Sequence, residues 1–150
     1  DGSPEHPTEA HGLFRDHLLD YGHAKPAFWA YKTMAMRLEG FTYHSAYYVE
    51  GGASSSLWDH EAYEFRRAAD GARLLVAWAN PVASNPDSIS DLVIPGGRVM
   101  LTSHLSLNAA NPDVLTLAEV LDGGPGDADG LLNGQVSLKL DVNPLYILVP

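Results

Sequence analysis

The sequence predicts a mainly β chain: an antiparallel β-sandwich of seven or eight strands preceded by one amphipathic α-helix. Three observations carry this expectation. The one long stretch with helical spacing lies between residues 25 and 39, the hydrophobic period changes from 3.6 to 2 after Gly40, and turn signals separate the short apolar runs that follow. Regularly spaced short strands with Gly, Pro and Asn between them describe a sandwich.

Residues 1–24 are irregular, with an apolar cluster of Leu13, Phe14, Leu18 and Leu19 that suits a helical turn or two. The opening "DGSPEHPTEAHG" holds neither an initiator Met nor a helix cap, and reads as the interior of a longer, processed polypeptide. The helix "KPAFWAYKTMAMRLE" has Pro26 in its first turn, where a missing N–H costs nothing, and stops at Gly40, a candidate left-handed C-terminal residue. At 100° per residue, Ala27, Phe28, Ala30, Tyr31, Met34, Ala35 and Leu38 form one broad apolar arc. Trp29 and Met36 form a second stripe among polar positions. The broad arc is expected to pack on the sandwich, and the second stripe on another body. The division of the chain is accordingly 1–40, a segment and helix left from another domain, and 41–150, the sandwich.

"TYHSAYYV" reads as a strand and "EGGASSS" as an exposed loop. "EAYEFRR" and "RLLVAWA" flank Asp70-Gly71, a hairpin signal. In the second of these, Leu74, Val76 and Trp78 share one face and Leu75, Ala77 and Ala79 the other, so a central strand with Trp78 in the core is expected. Further strands are read at "ISDLVI", "RVMLTSHLSL" and "VLTLAEVL". In "VSLKLDV", Val136, Leu138, Leu140 and Val142 alternate with polar residues, and "LYILV" follows Pro144 as a terminal edge strand.

The chain has 150 residues, 45% hydrophobic and 19% charged, enough for one buried core. Its formal net charge is −10 with nine Lys and Arg and no basic cluster, which disfavours a nucleic-acid partner. No run of eighteen apolar residues or charged-then-apolar leader pattern is present, so neither a membrane span nor an export signal is expected. Cysteine is absent, which removes disulfides and thiolate chemistry and leaves the compartment open.

Candidate chemistry is sparse. "HEAYE" at 60–64 approaches the zinc-protease motif, but Glu64 stands where a second His ligand is required. "DGGPGDADGLLNG" gathers Asp122, Asp127 and Asp129 in a Gly-rich loop, yet lacks the further ligands of a calcium hand; a solvated turn is the stronger expectation. "GGASSSLW" lacks the nucleophile elbow, and Glu61 and Glu64 fall on opposite faces of a strand. No catalytic residue, metal or cofactor is therefore expected. Trp58, Tyr43, Tyr47 and Tyr48 remain as candidate carbohydrate contacts, because the apolar face of a sugar stacks on aromatic rings, with packing as the competing role.

"GLFRDHLLDYGHAKPAFWAYKTMAMRL" resembles the end of the (β/α)₈ barrel in clan A glycoside hydrolases, where "KPA-x-x-A-x-K" leads into the last barrel helix. "YEFRR…DG…LLVAWAN" and "VNPLYILVP" resemble the hairpin and final strand of the C-terminal sandwich of such enzymes, while residues 96–134 are longer and richer in Gly and Asp than that pattern. The resemblance spans residues 12–150 and rests on structural, not catalytic, motifs. It implies a non-catalytic sandwich supporting a catalytic barrel of the same polypeptide, whose two glutamates lie upstream of these residues. An extracellular or periplasmic parent enzyme is favoured. A stand-alone carbohydrate-binding module and a surface interaction domain are the alternatives.

Overall fold

The structure, a computed structural model, describes residues 24, 26–47, 60–79 and 90–150. Helix α1 spans Pro26–Leu38, and strands follow at Thr42–Ala46 (β1), His60–Arg66 (β2), Arg73–Ala79 (β3), Ser90–Pro95 (β4), Arg98–Ser103 (β5), Ala118–Leu121 (β6), Gln135–Leu140 (β7) and Leu145–Val149 (β8). They form a six-stranded sheet of order β1-β2-β3-β8-β5-β6 and a two-stranded sheet β4-β7, antiparallel throughout. This is the mainly β, sandwich-like architecture with one leading helix that the sequence predicts.

The helix ends as its sequence dictates. Gly40 adopts φ 76°, and Phe41 N–H closes the last turn on Leu38 C=O at 2.9 Å. The β2–β3 hairpin turns at Asp70-Gly71, with Gly71 at φ 73° and the Asp70 carboxylate accepting Ala72 N–H at 3.1 Å. Asp70 also holds Arg67 through two hydrogen bonds of 2.9 and 2.7 Å, which brace the turn.

Strict alternation builds the core. Leu75, Ala77 and Ala79 of β3, Ile147 and Val149 of β8, and Val99 of β5 line the inner face of the large sheet. Leu92 and Ile94 of β4 with Val136, Leu138 and Leu140 of β7 close over them. Complete burial of one such side chain contributes roughly 1.5–3 kcal/mol, so these two apolar faces are the main stabilising element.

Strand β3 is central, as its two apolar faces require. The last strand is not an edge strand: β8 lies between β3 and β5. Pro144 precedes it and Pro150 follows it, so every residue within Leu145–Val149 retains an N–H, and both edges can be paired. Strand β5 stops at Ser103, whose hydroxyl accepts Leu105 N–H at 3.1 Å while its carbonyl accepts Ser106 N–H at 3.0 Å. This local turn ends the run predicted through Leu107. Strand β6 likewise covers only the last four residues of "VLTLAEVL". Val142 lies beyond β7 and is 39% exposed, whereas Ser137 is buried because residues 127–128 bind the outer edge of β7. Ser137 N–H donates to Asp127 Oδ1 at 2.8 Å, and its carbonyl accepts Ala128 N–H at 2.7 Å.

The outer face of the large sheet is also apolar, carrying Leu74, Tyr146 and, with one hydroxyl, Thr102, all buried. Helix α1 is tied to this part of the molecule, but by the opposite side from that expected. Thr33 is fully buried and accepts Leu107 N–H at 3.2 Å; Lys32 donates to Pro112 C=O at 2.6 Å and to Asp113 at 2.9 Å. Residues 104–113 offer backbone groups that need polar partners, so the narrow, hydrogen-bonding side of α1 faces inward. The broad apolar arc faces partly outward: Ala27, Tyr31, Met34 and Ala35 are exposed, while Phe28, Ala30 and Leu38 are half-buried. Of the second stripe, Trp29 is half-buried and Met36 is as exposed as Met34, 36% each.

Candidate functional site

The outward face of α1 is the feature of greatest consequence. From Met34 through Ala27, Leu38, Tyr31 and Ala35 to Phe28, the helical projection meets no charged residue. Tyr31 is 58% exposed, and Met34 is exposed beside it. A helix on the surface of a free-standing domain ordinarily turns charged residues to water, whereas here Lys32 and Arg37 flank the inner side. Phe28 and Trp29 meet edge to face at 5.0 Å, and Lys32 lies over the Trp29 ring at 5.9 Å, which stiffens the first two turns. In the last turn, Arg37 Nε and Nη2 are buried with no acceptor, and burial, then the neighbouring Arg67, lowers its pKa from the usual value.

The candidate carbohydrate contacts do not assemble into one platform among the described residues. Tyr43 is 57% exposed on the outer face of the sheet, in edge-to-face contact with Phe65 at 5.8 Å. A bulge at His44 shifts the register of β1, and Tyr47 turns to the inner face, where it packs beside the core and under Arg73 at 5.8 Å. Trp58 and Tyr48 lie outside the described residues. Trp78 is not in the core: it is half-buried on the outer face, 5.6 Å from the Tyr63 ring. Period 2 gave its face correctly, but the larger apolar mass of the inner face, not the size of the indole, determines which side is the core.

Glu61 and Glu64 do fall on opposite faces. Glu61 accepts Tyr63 O–H at 2.6 Å on the outside. Glu64 is only 4% exposed on the inside, accepting Arg66 Nε at 2.6 Å and Arg73 Nη2 at 2.8 Å, with His44 Nδ1 at 3.9 Å. The bond from Arg73 holds the Glu64 pKa below the ordinary carboxylate value against the opposing effect of burial, with Arg66 adding to it. This is a structural ion cluster that neutralises a carboxylate at the margin of the core.

The Asp-rich loop likewise uses its carboxylates internally. Asp122 accepts Asn133 N–H at 3.0 Å and Gly134 N–H at 2.7 Å; Asp127 accepts Gly123 N–H at 2.7 Å and Ser137 N–H at 2.8 Å. Asp129 accepts Leu131 N–H at 2.8 Å and Asn133 Nδ2–H at 3.1 Å. The bonds from Ser137 and Gly123 hold the Asp127 pKa low. Among the described residues, no group of three or more His, Asp or Glu side chains is placed to hold a metal ion, and no helix is long and apolar enough to cross a membrane. The serines of "GGASSS" lie outside the described residues.

Comparison with family models, with curated proteins and with solved structures finds no match for this chain.

Proposed function

We propose that this chain is a non-catalytic β-sandwich region of a glycoside hydrolase that supports a (β/α)₈ catalytic barrel of the same polypeptide. The observation that carries the reading is the uncharged, apolar outer face of α1, from Met34 and Tyr31 to Ala35, on a helix whose polar side is bonded to the sandwich. A helix held on one side by hydrogen bonds and apolar on the other joins two bodies. The sequence resemblance supports a barrel as the second body, with α1 as its last helix. Glu61 and Glu64 sit on opposite faces of β2, so they do not provide the paired carboxylates of glycoside hydrolysis. The sandwich therefore contributes rigidity and position rather than chemistry.

The test is the reading frame that encodes these residues, together with an assay of the purified 150-residue chain. A barrel with glutamates at the ends of its fourth and seventh strands, and no hydrolysis of aryl glycosides by the chain alone, is the expected result. A frame without a barrel, or hydrolysis by the chain itself, overturns the proposal.

A further inference from the structure

The loop that joins β6 to β7 holds the chain's one Asn-Gly pair, Asn133-Gly134. An asparagine followed by glycine is open to attack on its own side-chain amide by the next backbone nitrogen, because no Cβ shields that nitrogen. Of the six asparagines, Asn80, Asn85, Asn111 and Asn143 precede proline, which has no N–H to give up, and Asn108 precedes alanine. This chemistry therefore concentrates at Asn133, which is exposed to water.

A hydrogen bond sits on each nitrogen and oxygen of that reaction. Asn133 Oδ1, where negative charge develops, accepts Gln135 N–H at 3.0 Å, and Asn133 Nδ2, the departing nitrogen, donates to Asp129 Oδ2 at 3.1 Å. The attacking nitrogen is the one held back. Gly134 N–H donates to Asp122 Oδ2 at 2.7 Å, while Oδ1 of the same carboxylate accepts Asn133 N–H at 3.0 Å. On the other side of Gly134, which adopts φ 82°, its C=O accepts Gly96 N–H at 2.9 Å. Attack requires that Gly134 lose its proton, and the anion this forms is repelled by the Asp122 carboxylate. A peptide gripped on both sides is also kept from swinging toward Asn133 Cγ.

We propose that Asn133 is a self-modification site that Asp122 keeps closed, and that it reacts when the loop leaves Asp122. Gly134 N then bonds to Asn133 Cγ, the Cγ–Nδ2 bond breaks, and the proton lost by Gly134 N departs with Nδ2 as ammonia. Water opens the resulting succinimide at either carbonyl, giving aspartate or isoaspartate. Either product adds a negative charge beside Asp122 and Asp129, and isoaspartate adds a methylene to the main chain two residues before β7 begins at Gln135, opposite Pro95. A transient opening of the loop thereby becomes a lasting change at the end of the β4–β7 pair. None of this depends on the reading of the chain as a barrel support.

The test incubates the 150-residue chain at neutral pH and follows the peptide containing Asn133 by mass spectrometry, with isoaspartyl methyltransferase labelling to identify the product. Folded wild type is expected to convert at least about tenfold more slowly than the same chain unfolded in urea, and Asp122→Ala to approach the unfolded rate. Asp129→Ala, which frees only the departing amide, should accelerate conversion much less, and Asn133→Gln should abolish it. If Asp122→Ala lowers the melting temperature, wild type in sub-denaturing urea serves instead: conversion should rise in parallel with hydrogen exchange at Gly134 N–H. Conversion of folded wild type as fast as the unfolded chain overturns the proposal. So does a rate in folded Asp122→Ala no higher than in wild type, or conversion that rises while exchange at Gly134 stays constant.

Discussion

Replacing Glu64 with alanine tests whether the ion cluster under Tyr47 is structural. The carboxylate is 4% exposed and accepts two charge-assisted hydrogen bonds, at 2.6 Å from Arg66 and 2.8 Å from Arg73. Each such bond contributes roughly 1.5–3 kcal/mol in a protected setting. Both guanidinium partners reach solvent, with side-chain exposures of 52% and 33%, so water replaces part of what is lost. Arg73 Nε is already buried without an acceptor, and this raises the cost of removing its remaining anion. The balance is a destabilisation of about 2–4 kcal/mol, or roughly 5–15 °C in Tm for a chain of this length. Glu64→Gln, which keeps an acceptor but not the charge, should fall about halfway. The pKa of Glu64 is lower folded than unfolded, so its contribution is present above the unfolded value and is lost as pH falls through the folded one. Urea melts followed by tryptophan fluorescence between pH 7 and pH 3 should show wild type losing stability below about pH 4.5 more steeply than Glu64→Gln. A Glu64→Ala cost below about 0.5 kcal/mol, or identical pH slopes for wild type and Glu64→Gln, would refute the assignment.

Four further outcomes follow from the same structure. Thr33→Val keeps shape but removes the acceptor of the buried Leu107 N–H, so urea denaturation should show a loss of about 1–3 kcal/mol, with Thr33→Ser smaller. Leu138→Ala should cost about 2–5 kcal/mol, whereas Val142→Ala, outside the core despite its place in the same alternation, should stay within about 0.5 kcal/mol. Asp127→Ala releases the N–H groups of Gly123 and Ser137, and hydrogen exchange should accelerate at both positions and along the loop, with β2 and β3 unchanged. Tyr31→Lys on the isolated chain should leave Tm nearly unaltered and improve solubility, because the ring is 58% exposed and has little packing to lose; a large destabilisation would show that this face is covered within the chain.

Much of the fold was legible because its signals are local. Pro26 and Gly40 bound the helix, Asp70-Gly71 marks the hairpin, and the alternation of Val136, Leu138 and Leu140 with polar residues places β7 on the core. The candidate surface on α1 was only half legible. Helical spacing identified both apolar stripes of α1, but periodicity has no information about which stripe meets the sandwich. The loop at 104–113 decided that by demanding hydrogen-bond partners, which Thr33 and Lys32 supply and Tyr31 and Met34 do not. The burial of Glu64 was not legible for a similar reason. Its partner Arg73 is nine residues away, across a hairpin whose pairing sets Arg66 opposite Arg73.

By itself the sequence determined the class of elements, their order, the helix termini, the central position of β3 and the face on which each of its side chains lies. These follow from dihedral preferences and from the period of apolar residues, both properties of short stretches. The tertiary structure decided what short stretches cannot encode: that β8 inserts between β3 and β5, that Trp78 lies outside the core, that three aspartates accept the N–H groups of their own loop and of β7, and that α1 turns Tyr31, Met34 and Ala35 outward. Each of those outcomes depends on which distant backbone group needed a partner, or on which of two apolar faces found the larger apolar surface to meet.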